Sequence, residues 1–323
     1  MSTASAQAQS PSHVRPLTAR DLERVIAIDA ASTGRNRLGF FAKRLEAALA
    51  EPKHYVYTGW DDGGGLQGFM LARITDGEFG TSVPAAVIDA LGVDPVGQHR
   101  GVGQAMLAAT QAVLAHRGVA TMETQAEWRN HRLLQFFDRS GFELAPRYVL
   151  EREVEAPAGA DPVEDQGFVT RAEVDYGAPP EEDYSTLAHD RVPCRSLRAQ
   201  DLDGIVRIDR RVTGVDRRAY FERKLREVLT VSGIRVSLVA ELDGHVVGVV
   251  MARVDFGEFA RTEPVAVLDT LGVDPGYAHR RVASALMSQL MVNLAVLRIE
   301  RVRTQVDADA HALHGFFRRN GFA

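Results

Sequence analysis

The residues with the most chemical content are the hexapeptide Gln98-His99-Arg100-Gly101-Val102-Gly103 and, further along, Asn130. The hexapeptide joins an apolar stretch, Ala85 to Val93, that reads as a strand to one with helical apolar spacing, Ala105 to His116. A glycine-rich junction of this kind is an anion cradle. Glycines let the backbone approach closely, and the free N–H groups of a helix N-terminus point at negative oxygens. Arg100 adds a cation. The spacing differs from Gly-x-Gly-x-x-Gly and from the P-loop, and no Lys-Ser/Thr follows, so neither a dinucleotide nor a nucleoside triphosphate is the expected guest. A turn that needs glycine for shape alone carries the same residues, so the hexapeptide alone leaves both readings open.

The elements around the junction occur twice. LGVDPVGQHR at 91–100 returns as LGVDPGYAHR at 271–280, an offset of 180 that holds without a gap from Val14/Cys194 to Phe142/Phe322. Roughly a third of the aligned positions are identical. Copies this long are duplicated domains, whereas solenoid repeats run about 20–50 residues. Domain 1 is expected over 14–154 and domain 2 over 194–323, with a disordered tail over 1–13. An acidic, Pro/Gly-rich, solvated linker is expected over 155–193, in which Phe168 to Val174 has the weak alternation of an edge strand. Each copy reads β-α-α-β-β-β-α-β-α-β. The expected fold is α/β (α+β), a mostly antiparallel mixed sheet flanked by helices. In copy 1, strands are expected at 55–60, 69–74, 85–93 and 119–126, and helices at 38–49 and 130–140, the last closed by Gly141. Copy 1 runs on into a strand-like stretch with Tyr148 and Leu150 on one face, whereas copy 2 stops at Ala323. Either the second sheet lacks its last strand or the chain continues past Ala323; a missing strand leaves a bare edge to be covered by the linker or by self-association into a homo-oligomer.

Composition excludes several classes of function. The chain of 323 residues carries 38 basic and 43 acidic residues, a net charge of −5, and has no basic run, so no nucleic-acid partner is expected. One cysteine, Cys194, rules out an intrachain disulfide, and no His/Cys/carboxylate set has metal-ligand spacing, so no metal is expected. No apolar stretch approaches the ~20 residues of a membrane span, and the N-terminus lacks a secretory signal, so the expected location is cytoplasmic.

Gln-x-x-Gly-x-Gly after a long central strand resembles motif A of the GNAT superfamily of N-acetyltransferases, and Asn130…Phe137…Gly141-Phe142 resembles their motif B. The resemblance covers copy 1 from Val14 to Val154 and copy 2 more loosely. It implies two tandem GNAT domains, acetyl-CoA (coenzyme A) as cofactor, and direct attack of a primary amine, on a small molecule or peptide, on the thioester. It further implies that backbone groups of Leu91, Gly92 and Val93 pair with the pantetheine arm like an added strand. The N–H groups of Gln98, His99, Arg100, Gly101, Val102 and Gly103 would hold the pyrophosphate, and Asn130 would bond the pantetheine. The acetyl group would lie where the strands at 85–93 and 119–126 splay, with backbone N–H groups stabilising the oxyanion.

The sequence departs from the family pattern at several points. Many GNAT enzymes have a tyrosine seven residues after the motif B asparagine, which protonates the leaving thiolate. Phe137 stands there, and Phe317 in copy 2, and phenylalanine donates no proton. Copy 2 replaces Gln98, Gly101, Gly103 and Asn130 by Ala278, Arg281, Ala283 and Ala310. The working site is therefore expected in domain 1, with domain 2 mainly structural. A base for the amine is sought in Glu78 and Asp89, with Glu123 in reserve. Glu78 and Asp89 recur as Glu258 and Asp269 in the copy that lost its cofactor contacts, which is also the mark of a structural role. The alternative functions are a non-catalytic acyl-CoA-binding sensor and a pseudo-dimeric interaction module.

Overall fold

A computed structural model describes residues 13–75, 78–80, 83–155, 192–231, 235–255 and 264–323. The residues 1–12, Glu258 and the linker from 156 to 191, including Phe168 to Val174, lie outside them. The described residues form two compact units, one of 13–75 and 83–143, the other of 78–80, 144–155 and the residues from 192 onward. No described helix is long and apolar enough to cross a membrane.

Unit 1 runs β1 (Val14–Pro16), α1 (Leu22–Thr33), α2 (Leu38–Ala50), β2 (Tyr55–Asp61), β3 (Leu66–Thr75), β4 (Ala85–Val93), α3 (Val102–His116), β5 (Thr121–Glu123) and α4 (His131–Arg139). Its sheet has the order β1-β2-β3-β4-β5, antiparallel except for the parallel β4–β5 pair. The Asp21 carboxylate takes the Thr18 N–H at 2.8 Å and the Thr18 hydroxyl at 2.9 Å, which fixes the turn that leads into α1. Helices α1 and α2 cover one face of the sheet through Ile28, Phe41, Phe69, Tyr57 and Ala90. Helices α3 and α4 cover the other through Met70, Ile88, Met106 and Phe137. Covered on both faces, β4 needs its nearly continuous apolar run. Helix α3 lies so close to β3 that a Cβ on Gly68 would stand 2.9 Å from Met106 Cε and 3.2 Å from the Gly92 carbonyl oxygen. A side chain there would require Met106 and the Gly92 carbonyl to give way.

Unit 2 runs β6 (Arg147–Glu153), β7 (Cys194–Ser196), α5 (Leu202–Thr213), α6 (Arg218–Arg226), β8 (Leu238–Leu242), β9 (His245–Asp255), β10 (Val265–Val273), α7 (Val282–Val296), β11 (Arg301–Asp307) and α8 (His311–Arg319). Its sheet order is β6-β11-β10-β9-β8-β7. Strand β6 pairs along its whole length with β11, from Arg147↔Asp307 to Glu153↔Arg301. Leu150 is buried with Val302, Val306, Phe317 and Phe322 in the core of this unit, and Arg152 donates to the Asn320 carbonyl at 2.7 Å.

This pairing changes two expectations. The first unit ends at Glu143 rather than at 154, and the strand after copy 1 belongs to unit 2. The second sheet is therefore not short of a strand, and the bare edge from which self-association was inferred is covered by the chain itself. Alternation showed that Leu150 faces a core but not which core, because a strand's period carries no information about its partner. The same pairing explains the length of β5. Flanked by β6, β11 reaches seven residues. At the edge of its sheet among the described residues, β5 has three in place of the eight expected over 119–126.

Leu150→Ala is expected to cost about 2–4 kcal/mol, the range for truncating a buried leucine. Denaturant unfolding will measure it. Amide hydrogen exchange should show protection lost in β11 and unchanged in β5, and the reverse result would return the strand to unit 1.

Candidate acetyl-CoA and acceptor site

Strand β4 ends at Val93, and Asp94 accepts the Val96 N–H at 2.9 Å to close a tight turn over Pro95–Gly97. The chain then passes through His99 and Gly101, both left-handed at φ 63° and 78°, into α3. A Cβ at Gly101 would meet nothing within 4 Å, so the space ahead of the helix is open. Gln98 ties the junction together. Its Nε2 donates to the Val93 carbonyl at 3.2 Å, and its Oε1 accepts from Arg132 Nη2 at 3.3 Å. The same guanidinium nitrogen lies 3.5 Å from His99 Nε2. Asn130 caps α4 by accepting the Leu133 N–H at 3.2 Å, which leaves its Nδ2 donors for a ligand. Pairing of β4 with β5 stops at Val87↔Glu123. Thr124 Oγ1 donates to the Ile88 carbonyl at 3.2 Å, and from Asp89 to Val93 no strand lies on that side among the described residues.

The structure thus gathers Leu91, Gly92, Val93, the loop from Gln98 to Gly103, and the start of α4 around one end of β4. Helix N-terminal amides, an open strand edge, an amide donor and exposed arginines suit a pyrophosphate carried on an extended, amide-containing arm. Sequence reasoning missed Arg132. Its signal was in the repeat, where the matching residue is Ala312. Unit 2 keeps the backbone shape, with His279 and Arg281 left-handed at φ 62° and 63°. A non-glycine residue there carries about 1–2 kcal/mol of strain. The side-chain donors are gone, replaced by Ala278, Ala310 and Ala312.

The opposite face of the unit 1 sheet is organised by a β-bulge. The register of β3 with β4 passes from Leu71↔Ala90 to Ala72↔Ile88, so Asp89 has no cross-strand partner. Arg73↔Val87 and Val87↔Glu123 set Arg73 and Glu123 in one row, and Tyr57↔Leu71 and Leu71↔Ala90 make the next row of the same face. Asp89 is fully buried, 3.0 Å from Arg73 Nε and 3.6 Å from Arg44 Nη1. Asp269 is likewise the bulged residue of β10. It lies 2.6 Å from Lys224 Nζ and 3.2 Å from Arg253 Nη1. Glu78 is part of unit 2, 3.6 Å from Lys224 and 3.7 Å from Arg253. Burial opposes the Lys224 charge, but Asp269 and Glu78 outweigh it and hold the ammonium pKa above the ordinary lysine value. The two carboxylates expected as bases are therefore both engaged by cations, Asp89 by Arg73 and Arg44 in unit 1 and Glu78 by Lys224 and Arg253 in unit 2. Glu123 is half-buried at the last paired position before β4 and β5 part. Phe137 is 6% exposed and packs between Phe136 and Phe142.

Two mixed sheets, each with a bulged strand that parts from its parallel neighbour and then turns through left-handed residues into a helix, define an acetyltransferase-type fold in tandem. The Acetyltransferase (GNAT) family matches residues 21–142 and 205–322, and the chain belongs to that family. A mycothiol acetyltransferase of Propionibacterium freudenreichii subsp. shermanii is 31% identical over 84 residues, 26% of this chain and 26% of that protein, so the likeness spans about a quarter of that relative. The tandem GNAT protein from the clavulanic acid biosynthesis pathway has a similar fold, with a TM-score of 0.59 at 16% identity over 96% of this chain and 94% of that one. The glucosamine N-acetyltransferase region of a fungal multi-domain GH3 β-N-acetylglucosaminidase gives 0.60 at 13% identity, over 98% of this chain but only 38% of that one. At these identities the structural likeness concerns the fold alone.

Asp89→Ala should destabilise the protein by about 3–5 kcal/mol, because it strips a buried counter-charge from Arg73 and Arg44. Glu78→Gln should cost less, since Lys224 retains Asp269. Chemical denaturation of both variants measures the difference, and equal costs would contradict these cluster assignments.

Proposed function

We propose that the chain is an acetyl-CoA-dependent N-acetyltransferase whose transfer site lies in unit 1, with unit 2 serving mainly as structure. One observation carries this reading. The cradle of unit 1 has its full set of donors, and the same backbone in unit 2 has lost them at Ala278, Ala310 and Ala312. Gln98 and Arg132 steady the loop, the α3 amides face the pyrophosphate, and the open edge of β4 takes the pantetheine. The amine nitrogen bonds to the acetyl carbon, the C–S bond breaks, and backbone N–H groups at the splay stabilise the oxyanion. We assign Asp89 and Glu78 to holding the structure and Glu123 to taking the proton from the amine. Glu123 stands at the splay, and its counterpart in the copy without donors is Arg303, so it disappears together with the cradle. A small-molecule acceptor is supported by the name of the mycothiol acetyltransferase to which the chain is similar.

Calorimetric titration of the full chain with acetyl-CoA tests the reading. One site per chain is expected, lost in Gly101→Arg and weakened about tenfold in Arg132→Ala, the scale of one charge-assisted hydrogen bond. Absence of binding would overturn the proposal, and two sites would make unit 2 a binding domain. Phe137 favours a second reading, a binder without turnover, because the usual thiolate acid is a packed ring. Release of free thiol across an amine panel separates the two. In an active enzyme Glu123→Gln should lower kcat about 100-fold, with acetyl-CoA affinity unchanged.

A further inference from the structure

In unit 2, Leu150 of β6 is buried in one cluster with Val302, Val306, Phe317 and Phe322. The repeat places Met122, Ala126, Phe137 and Phe142 at those four positions in unit 1, where Phe137 alone is buried and the others are half-buried. Strand β6 lies antiparallel to β11 with Glu151 opposite Arg303. The Glu151 N–H and carbonyl both bond to Ala323 on the other edge, at 2.9 Å each. Glu151 and Arg303 are therefore a non-hydrogen-bonded pair, the kind whose Cα atoms stand about 4.5 Å apart. The chain returns to the β6 pattern further on, outside the described residues. Tyr148-Val149-Leu150-Glu151-Arg152-Glu153-Val154 is followed by Phe168-Val169-Thr170-Arg171-Ala172-Glu173-Val174. Both open on an aromatic residue and share both valines and the second glutamate. Laid on β5 in the register that β6 takes on β11, Phe168 falls opposite Ala126, Ala172 opposite Met122 and Arg171 opposite Glu123. The face that Leu150 occupies in unit 2 would then carry Phe168, Thr170 and Ala172, without a charge. The charged pair inverts as a pair, Arg303 with Glu151 in one unit and Glu123 with Arg171 in the other. Opposite charges directly across a ladder stabilise it, and like charges there do the reverse. Residues 156–167 and 175–191 flank the segment and supply about 40 Å or more of extended chain on either side.

We propose that residues 168–174 of the same chain add to β5 as an antiparallel strand, with Arg171 paired to Glu123, and complete the first sheet as β6 completes the second. A cation beside Glu123 favours its ionised form, which the proton-accepting role assigned to it requires. The pairing itself does not depend on that role.

The test is a disulfide in the full chain. Cys194→Ser removes its one cysteine, and Glu123→Cys with Arg171→Cys then supplies a pair within disulfide reach. Mild oxidation should join the two within one chain, as read by peptide mass mapping. The pair Glu123→Cys with Ala172→Cys, one residue out of register and on opposite faces, should close about tenfold more slowly. No bond at 123–171, or equal rates for the two pairs, would overturn the proposal. A bond between two chains would give the edge to a second copy and overturn it as well. The charges are tested separately by amide hydrogen exchange. Glu123→Arg and Arg171→Glu should each speed exchange at residues 121–126 about fivefold and leave β11 unchanged. The double variant should restore the original rates, and a double variant as fast as the single ones would overturn the pairing. Neither measurement uses activity, so a failure of the acetyltransferase reading is told apart from a failure of this one.

Discussion

At the centre of each sheet a carboxylate is forced out of the ladder and into the interior. The extra residue of the bulge, Asp89 in β4 and Asp269 in β10, breaks the pairing and increases the local twist. Each central strand keeps its parallel neighbour for three pairs and then parts from it. A bare charge is not tolerated at that depth, so each carboxylate needs cations close by. They come from matching places, Arg73 and Arg253 on the next strand and Arg44 and Lys224 on the second helix. Because one cation of each pair sits on a helix, the charge that stabilises the bulge also pins α2 and α6 to their sheets. The open strand edge and the position of the second helix thus rest on one electrostatic requirement.

The duplication separates structure from chemistry without recourse to other proteins. Features shared by both copies (the bulge, its cations, the left-handed loop) are what the fold requires. Features present in one copy alone are the candidates for what that copy does. Gln98, Asn130, Arg132 and Glu123 face Ala278, Ala310, Ala312 and Arg303. Arg281 is informative in the other direction. It holds a backbone conformation suited to glycine, so the loop in unit 2 is imposed by the strand and helix that flank it and does not depend on glycine's freedom.

Much of this was legible in the chain before any coordinates. The repeat, the order of elements, and the junction between strand and helix are patterns within short windows, and periodicity reports those well. Four features were not legible in that way: the bulge at Asp89, the short β5, the place of Glu78 in unit 2, and the pairing of β6. Each depends on which strand or helix lies alongside, information that no single window contains. Arg132 differs in kind, since it is visible in the sequence as a difference from Ala312 in the second copy but lies outside both motifs.

The pairing of β6 bears on how the two copies came to differ. Unit 2 contains a sheet whose outer strand, and one of whose buried counter-charges, come from residues that precede Cys194 in the chain. A duplicated domain that depends on its neighbour's sequence for a strand with Leu150 in its core loses little by staying attached and much by separating. Once that dependence exists, selection on unit 2 acts through the stability of the whole chain. Its loop positions then tolerate alanine, while Asp269, paired with Lys224 and Arg253 in the interior, does not.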